Sequence, residues 1–162
     1  MSARAAIVTV SSSKSVGGEE RDESGERLAA LAADLGAEIA GAEIVPDDRA
    51  TIAERLLHWS DGEGCDLILT TGGTGVAPSD VTPEATRDVI EREAPGIAEA
   101  MRDASREHTP HWMLSRAVAG IRGGTLIVNF PGNPRSIDQA GVAIAGALPH
   151  ALDLLRGAHG GH

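Results

Sequence analysis

The stretch Leu67-Ile-Leu-Thr-Thr-Gly-Gly-Thr-Gly75 decides the fold, because a short apolar run leads directly into a glycine-rich loop. Two similar apolar runs, rich in β-branched residues or leucine, occupy Ala5–Val10 and Leu126–Phe130, and neither alternates strictly between polar and apolar residues. Strands that are buried on both faces of a parallel sheet have this composition. The three runs therefore predict parallel strands in the core.

Helical patterns lie between these strands. Apolar residues recur at helical spacing in two segments, one with Leu28, Leu31 and Leu35 and the other with Ile52, Leu56 and Trp59. Ile39–Val45 is a further strand candidate, and Asp47 or Asp48 would cap the next helix, which should run to about Asp61. The alternation of strands and helices predicts a parallel sheet.

The second half of the chain predicts further helices. Thr82 is expected to cap a helix that has Pro83 in its first position and continues through about Glu93. A second helix should run from Gly96 to about Arg106. A last helix carries Ile137, Gly141, Ile144 and Leu148 on one face, and Pro149 should kink or divide it. We expect one domain over residues 1–157 and a flexible tail over residues 158–162.

Composition excludes several classes of function. The 162 residues include 14 basic and 24 acidic side chains, and the resulting net charge of −10 would repel nucleic acid and anionic membranes. Aromatic residues make up 2% of the chain, too few to stack nucleic-acid bases, and the lone Cys65 excludes an internal disulfide framework. No apolar run approaches the length of a membrane span. We therefore expect a soluble, cytoplasmic protein.

Each of the three apolar runs ends in a small, polar or glycine- and proline-rich loop: Ser11–Gly18, Gly72–Gly75 and Pro131–Ser136. Because parallel strands end at the same edge of a sheet, these loops should lie together, at the edge where open α/β folds bind ligands. Backbone N–H groups in such loops can bind an anion without a basic surface. The glycine spacing matches neither a dinucleotide-binding fold nor a P-loop. The alternative is a tight turn without a ligand, but three glycines in four residues favour anion binding.

Carboxylates follow the glycine loop and the second predicted strand. A carboxylate at Asp80 beside a bound phosphate needs a cation between them, and Mg²⁺ is commonly held by one or two carboxylates together with substrate phosphates. Asp47 or Asp48 could supply the second carboxylate, and helix capping is the alternative role for each of the three. Arg135 and Ser136 suit a second anion, hence a second substrate, although they also fit an ordinary turn at a helix start.

No covalent nucleophile is evident in the sequence. Cys65 directly precedes a strand and is expected to be a buried structural thiol. His108 and His111 lie beside Pro110 without the spacing of a metal site, and no GxSxG motif is present.

Two segments resemble the molybdopterin adenylyltransferase family of MogA/MoaB type, which includes the gephyrin G domain. They are Thr70-Thr-Gly-Gly-Thr-Gly-Val-Ala-Pro-Ser-Asp-Val-Thr-Pro-Glu-Ala-Thr86 and Pro131-Gly-Asn-Pro134, supported by Ile44-Val-Pro-Asp-Asp48 and Leu114-Ser-Arg-Ala-Val-Ala-Gly-Ile-Arg-Gly123. The resemblance implies a trimeric, three-layer α/β fold with a mostly parallel sheet and helices on both faces. It also implies activation of molybdopterin with Mg-ATP, which gives adenylyl-molybdopterin and pyrophosphate.

The resemblance also implies roles for individual residues. Asp47 and Asp80 would be the catalytic or magnesium-binding carboxylates, with Asp48 as a substitute for Asp47. The substrate-binding residues would be Ser11, Ser12, Thr71, Gly72, Gly73, Thr74, Gly75, Ser115, Pro131, Gly132, Asn133, Arg135 and Ser136. Lys14 or Arg135 could supply positive charge to the phosphates. A molybdenum-insertion protein is a possible partner.

Two other functions remain open at this stage. A molybdopterin carrier would bind the pterin without magnesium chemistry, and a scaffold for other cofactor-assembly proteins would need no nucleotide. The pair of carboxylates beside the glycine loop favours the enzyme over both.

Overall fold

Six strands form one sheet with helices on both faces. The structure is a computed structural model that describes residues 2–17 and 21–157. In chain order the strands are β1 (Arg4–Val10), β2 (Glu38–Val45), β3 (Leu67–Thr71), β4 (Arg92–Glu93), β5 (Ala119–Arg122) and β6 (Thr125–Phe130). The helices are α1 (Ser12–Ser15), α2 (Glu23–Asp34), α3 (Arg49–Leu57), α4 (Thr82–Val89), α5 (Pro95–Ser105), α6 (Pro134–Ile144) and α7 (Leu148–Leu155).

The sheet has the strand order β2-β1-β3-β6-β5-β4. The first four strands are parallel, whereas β5 runs antiparallel to β6 and β4 antiparallel to β5. The prediction of a mostly parallel sheet is confirmed, and β4 and β5 are additions to the predicted strands. Gly120 in β5 allows close approach, because a Cβ there would lie 2.8 Å from the carbonyl oxygen of Arg92 in β4.

The central strands bury both of their faces. Along β1, Ala5 and Ile7 pack with α2, α5, α6 and α7, whereas Ala6, Val8 and Val10 pack with α3 and α4. This burial on two sides explains why the three predicted strands have apolar sequences without polar alternation. The result is the expected three-layer α/β fold.

Several predicted helix boundaries need correction. α4 begins at Thr82 with Val81 before it, and it ends at Val89 rather than near Glu93, because Arg92 and Glu93 pair with β5 as β4. The Thr82 hydroxyl does not cap the helix but donates to the Gly72 carbonyl oxygen at 2.9 Å.

One other helix boundary differs from the prediction, whereas the predicted division of the last helix near Pro149 is confirmed. The helix predicted to reach Asp61 ends as α3 at Leu57 and continues as a π-helical turn over His58–Gly62. The last helix is divided between Ile144 and Leu148, so that Pro149 lies in the first turn of α7. A proline is tolerated there because the first helical N–H groups have no partner within the helix.

The predicted tail over residues 158–162 and Gly18 of the first loop lie outside the described residues. Across the described parts of the chain, no helix combines the length and apolar character needed to cross a membrane.

Candidate functional site

The loops that follow β1, β2, β3 and β6 meet at the carboxyl edge of the sheet, as predicted for three of them. The Ser11 amide donates to the Val45 carbonyl oxygen at 2.9 Å, which joins the ends of β1 and β2. The Thr71 hydroxyl donates to the Pro131 carbonyl oxygen at 2.7 Å, which joins the ends of β3 and β6. Thr71 is therefore a structural link between two loops of the site.

The glycine loop Gly72–Gly75 packs too closely on its neighbours to carry side chains at its start. Gly72 has φ +93° and Gly73 has φ +70°, a region that other residues rarely adopt. A Cβ on Gly72 would lie well inside 3.0 Å of the Val10 carbonyl oxygen, and a Cβ on Gly132 would lie 3.5 Å from the Gly72 Cα. The two glycine-containing loops therefore approach each other backbone to backbone.

Asp47 and Asp48 have different roles, which the sequence left open. Asp48 caps α3, since its Oδ2 accepts from the Thr51 amide at 2.9 Å and the Thr51 hydroxyl at 2.7 Å. Hydrogen bonds from the Thr51 hydroxyl and amide hold the pKa of Asp48 below its ordinary value. Asp47 Oδ2 instead accepts from the Ser12 amide at 3.1 Å and the Ser12 hydroxyl at 2.9 Å. Asp47 thus faces the loop after β1.

Both Asp47 and Asp80 flank the glycine loop. A Cβ on Gly73 would lie 3.3 Å from Asp47 Oδ1, and a Cβ on Gly75 would lie 2.8 Å from Asp80 Oδ2. Asp80 Oδ2 also accepts from the Ala77 amide at 3.1 Å, and Asp80 does not cap α4. Within the described residues, Oδ1 of each carboxylate accepts no hydrogen bond. Each aspartate therefore presents an oxygen that remains available to a ligand.

This donor set fits a magnesium ion only in combination with a phosphorylated substrate. The described part of the chain contains no group of three or more metal-ligating side chains. Mg²⁺ is usually bound by one or two protein carboxylates, with substrate phosphates and waters completing its shell. Asp47 and Asp80 meet that requirement, whereas a resident metal centre would need more protein ligands.

Two cavities adjoin the loop after β6, and the first of them also adjoins the glycine loop. The first, of about 210 Å³, is lined by Ser11, Lys14, Ser24, Thr71, Gly72 and Gly132, among others. Among the described residues, the Lys14 ammonium has no hydrogen-bond or ion-pair partner. Lys14 is therefore a cation placed beside the glycine loop.

The second cavity, of about 260 Å³, is more apolar. Its lining includes Ser115, Pro131 and Ser136 together with Arg102, Met101 and Trp112. Asn133 caps α6 by accepting from the Arg135 amide at 2.9 Å, and the Arg135 side chain is exposed and lines neither cavity. The structure thus places Lys14, rather than Arg135, next to the glycine loop.

Sequence reasoning missed two polar residues that organise the site. Asn129, fully buried in β6, donates to the hydroxyls of Thr70 and Thr86 at 3.0 and 2.9 Å and accepts from the Val118 amide at 3.1 Å. A single asparagine inside an apolar strand was a signal for such a network. Arg116, which holds the segment after the glycine loop, lies within the family-like stretch Leu114–Gly123, but no periodicity or spacing indicated its role.

Known proteins are similar to this chain in both sequence and fold. A family model described as a probable molybdopterin binding domain matches residues 6–150. A molybdopterin adenylyltransferase of Helicobacter pylori is 46% identical over 115 residues, which cover 71% of this chain and 65% of that protein. The enzyme of the same name from Escherichia coli is 42% identical over 126 residues, covering 70% and 65%. The chain thus spans just under two thirds of the length of these curated relatives.

Solved structures extend the similarity to nearly the whole chain. The molybdopterin biosynthesis enzyme MoaB from Thermus thermophilus is 47% identical, with a TM-score of 0.88 over 96% of this chain and 97% of that one. A protein titled tungsten cofactor synthesizing protein MoaB, from Pyrococcus furiosus, is 28% identical, with a TM-score of 0.85 over 96% and 98%. Together with the family match over residues 6–150, these similarities confirm the resemblance read from the glycine loop: the chain belongs to the molybdopterin-binding domain family of MogA/MoaB type.

Proposed function

We propose that this protein is a molybdopterin adenylyltransferase of molybdenum cofactor biosynthesis, which joins molybdopterin to the adenylyl group of ATP. The observation that carries the proposal is the position of Asp47 beside Gly73 and of Asp80 beside Gly75, each with one carboxylate oxygen that accepts no hydrogen bond from the described residues. The names of the curated relatives, at 42–46% identity, support the same activity.

The proposed reaction does not require the protein to transfer a proton to or from the attacking phosphate. A phosphate oxygen of molybdopterin attacks the α-phosphorus of ATP, a new P–O bond forms, and the bond from the α-phosphorus to the bridging oxygen breaks to release pyrophosphate. Because the attacking phosphate is already an oxyanion, positioning and charge neutralisation are sufficient. The described lining of the cavity beside Gly72 contains no histidine, cysteine or carboxylate.

The residues around the glycine loop would have different roles in this reaction. The Gly72 amide already donates to the Phe130 carbonyl oxygen at 3.3 Å. The backbone N–H groups of Gly73, Thr74 and Gly75, together with the Lys14 ammonium, would therefore bind the phosphate oxygens. Asp47 and Asp80 would hold Mg²⁺ together with those phosphates. When bound, the ion offsets the repulsion between the two anionic substrates and the charge on the departing pyrophosphate. Further substrate contacts are assigned to Ser11, Ser12, Thr71, Ser115, Pro131, Gly132, Asn133, Arg135 and Ser136.

The assembly follows from the family resemblance. We assign residues 1–157 to one molybdopterin-binding domain and the whole chain to a cytoplasmic homotrimer that passes its product to a molybdenum-insertion protein. The family match over residues 6–150 supports the single domain. Light scattering of the purified protein measures the trimer directly, and a monomer would contradict it.

The test is product formation from molybdopterin, ATP and Mg²⁺, with adenylyl-molybdopterin and pyrophosphate both measured. Asp80→Asn and Asp47→Asn should each lower the rate at least about a hundredfold, because each removes a charge that binds the ion. Asp48→Asn is the matched control, since the substitution is the same and asparagine also caps helices. It should keep nearly full activity.

Other outcomes would reject the proposal. Tight molybdopterin binding without any product would indicate a carrier instead of an enzyme. Equal activity of the wild type and Asp80→Asn would show that this carboxylate has no part in the reaction. For the assigned phosphate contact, Lys14→Ala with unchanged ATP affinity would count against Lys14.

A further inference from the structure

The segment Gly75–Asp80, which ends in the proposed magnesium ligand, is held at both ends by one arginine from a distant loop. Arg116 Nε donates to the Gly75 carbonyl oxygen at 2.7 Å, and Arg116 Nη2 donates to the Asp80 carbonyl oxygen at 2.7 Å. The Arg116 backbone amide adds a hydrogen bond to the Thr74 carbonyl oxygen at 2.8 Å. One residue therefore connects three carbonyl groups of the loop that leads from the glycines to Asp80.

The guanidinium of Arg116 is itself held in place. Its Nη1 and Nη2 donate to the two carboxylate oxygens of Glu84 at 2.7 and 3.2 Å, and Glu84 lies in the first turn of α4. The Glu84 carboxylate raises the pKa of Arg116 further above its ordinary value, so the side chain stays charged. Only a planar group with several N–H donors can make these contacts together, because a lysine ammonium has no fixed fork.

Little else restrains the segment. Val76, Ala77, Pro78 and Ser79 are exposed. Among the described residues, the other hydrogen bonds of Gly75–Asp80 are internal: the Asp80 amide donates to the Ala77 carbonyl oxygen, and the Ala77 amide donates to Asp80 Oδ2. Thr82 anchors the residues just before the segment, with its hydroxyl on the Gly72 carbonyl oxygen and its amide on the Gly73 carbonyl oxygen. Without the Arg116 side chain the segment itself would lose its hydrogen bonds to the rest of the protein, and the turn closed by Ala77 and Asp80 would open more often.

We propose that Arg116 is a positioning residue for adenylyl transfer, which acts by fixing the Asp80 carboxylate beside the glycine loop. The inference rests on the proposed function, because it gives Asp80 the role of binding Mg²⁺ with the substrate phosphates. Displacement of such a group by about an ångström can cost a hundredfold in rate, so a restraint on the Asp80 backbone has a direct consequence for turnover.

The experiment compares Arg116→Gln with Arg122→Gln. Arg122 makes a similar set of bonds, to the Val89 carbonyl oxygen at 2.9 Å and to the Asp61 carboxylate at 2.8–3.1 Å, but it lies at the β5–β6 turn, next to the amino end of β6. Arg116→Gln should raise the Mg²⁺ concentration for half-maximal rate about tenfold and leave the KM for molybdopterin within about twofold. Arg122→Gln should change neither quantity. Arg116→Lys, which keeps the charge, should show a smaller shift in the same direction and serves if Arg116→Gln does not fold.

A double-mutant cycle with Asp80→Asn tests whether Arg116 acts through that carboxylate. If it does, Arg116→Gln should cost little further activity once Asp80 is asparagine, because neighbouring residues in one network are not additive. An equal loss in both backgrounds, or an unchanged Mg²⁺ requirement, would overturn the inference.

Amide hydrogen exchange separates this inference from the proposed activity. Arg116→Gln should speed exchange at the Ala77 and Asp80 amides at least about tenfold relative to the wild type, since the segment loses its anchors. If the wild type makes no product, the proposed activity fails, and the exchange result alone still decides whether Arg116 holds the segment. Unchanged exchange at both amides would refute it.

Discussion

Gly72→Ala tests how closely the glycine loop must approach β1. Gly72 has φ +93°, and a Cβ there would lie well inside 3.0 Å of the Val10 carbonyl oxygen and 3.4 Å from the Val10 carbonyl carbon. That oxygen belongs to the backbone of a buried central strand, so it cannot move aside as a flexible side chain could. The loop would have to shift away from β1, and with it the start of the proposed phosphate site.

Gly36→Ala is the control that measures the cost of a left-handed backbone without a steric collision of the added Cβ. Gly36 has φ +85°, but a Cβ there would have nothing within 4 Å. Left-handed backbone costs a non-glycine residue about 1–2 kcal/mol, and the smaller entropy of unfolded alanine returns about 0.4–1 kcal/mol. Gly36→Ala should therefore destabilise by about 1 kcal/mol. Gly72→Ala carries the same strain plus the cost of overpacking, about 1–3 kcal/mol, for a total of about 2–4 kcal/mol.

Urea unfolding of the wild type and both variants at one protein concentration measures these free energies. The product assay, carried out on the folded variants, should show a loss of adenylyl transfer in Gly72→Ala and none in Gly36→Ala. If the two variants were destabilised equally within about 0.5 kcal/mol, the collision with the Val10 carbonyl would not limit the loop, and the reasoning would be wrong.

Three further predictions concern groups outside the glycine loop. Asn129→Leu strips three buried partners of their hydrogen bonds and should lower the unfolding free energy by at least about 2 kcal/mol in urea. Hydrogen bonds from Arg116 hold the pKa of the Glu84 carboxylate below the ordinary 4.5. The ion pair therefore stabilises the folded protein above pH 4.5, and this stabilisation is lost as the pH falls through the lower pKa of the folded state. Glu84→Gln should therefore flatten the acid side of the pH profile of thermal unfolding, by no more than about 1 kcal/mol because the pair is partly exposed; an unchanged profile would contradict this. Cys65, 2% exposed and with its pKa raised by burial, should react with a thiol reagent only after denaturation.

The central strands could be read from the sequence because their signal is local. β1, β3 and β6 are buried on both faces, so each shows an uninterrupted apolar run. β4 and β5 have two and four residues, and Gly120 within β5 weakens its pattern. These two strands exist because Arg92 and Glu93 pair with Ile121 and Gly120, a contact that no local pattern reports.

The candidate site was predictable in its residues more than in its arrangement. Asp47 and Asp48 are neighbours of the same type, and both precede a helix. Ser12, which lies 35 positions away in the chain, distinguishes them by donating its amide and hydroxyl to Asp47 alone. No local pattern indicated the role of Arg116, because its partners Gly75 and Asp80 lie 41 and 36 positions away.

By itself the sequence determined the class of fold, the edge of the sheet at which ligands would bind and the family that the glycine loop resembles. These properties depend on apolar periodicity and on glycines where other residues would be strained or too large, which are carried by neighbouring residues. The tertiary structure alone decided that Asp47 rather than Asp48 faces Gly73, that Lys14 rather than Arg135 lies beside the glycine loop, and that Arg116 holds Asp80. The physical reason is that such contacts join loops that are distant in the chain, and their distances are set only when the strands pack side by side.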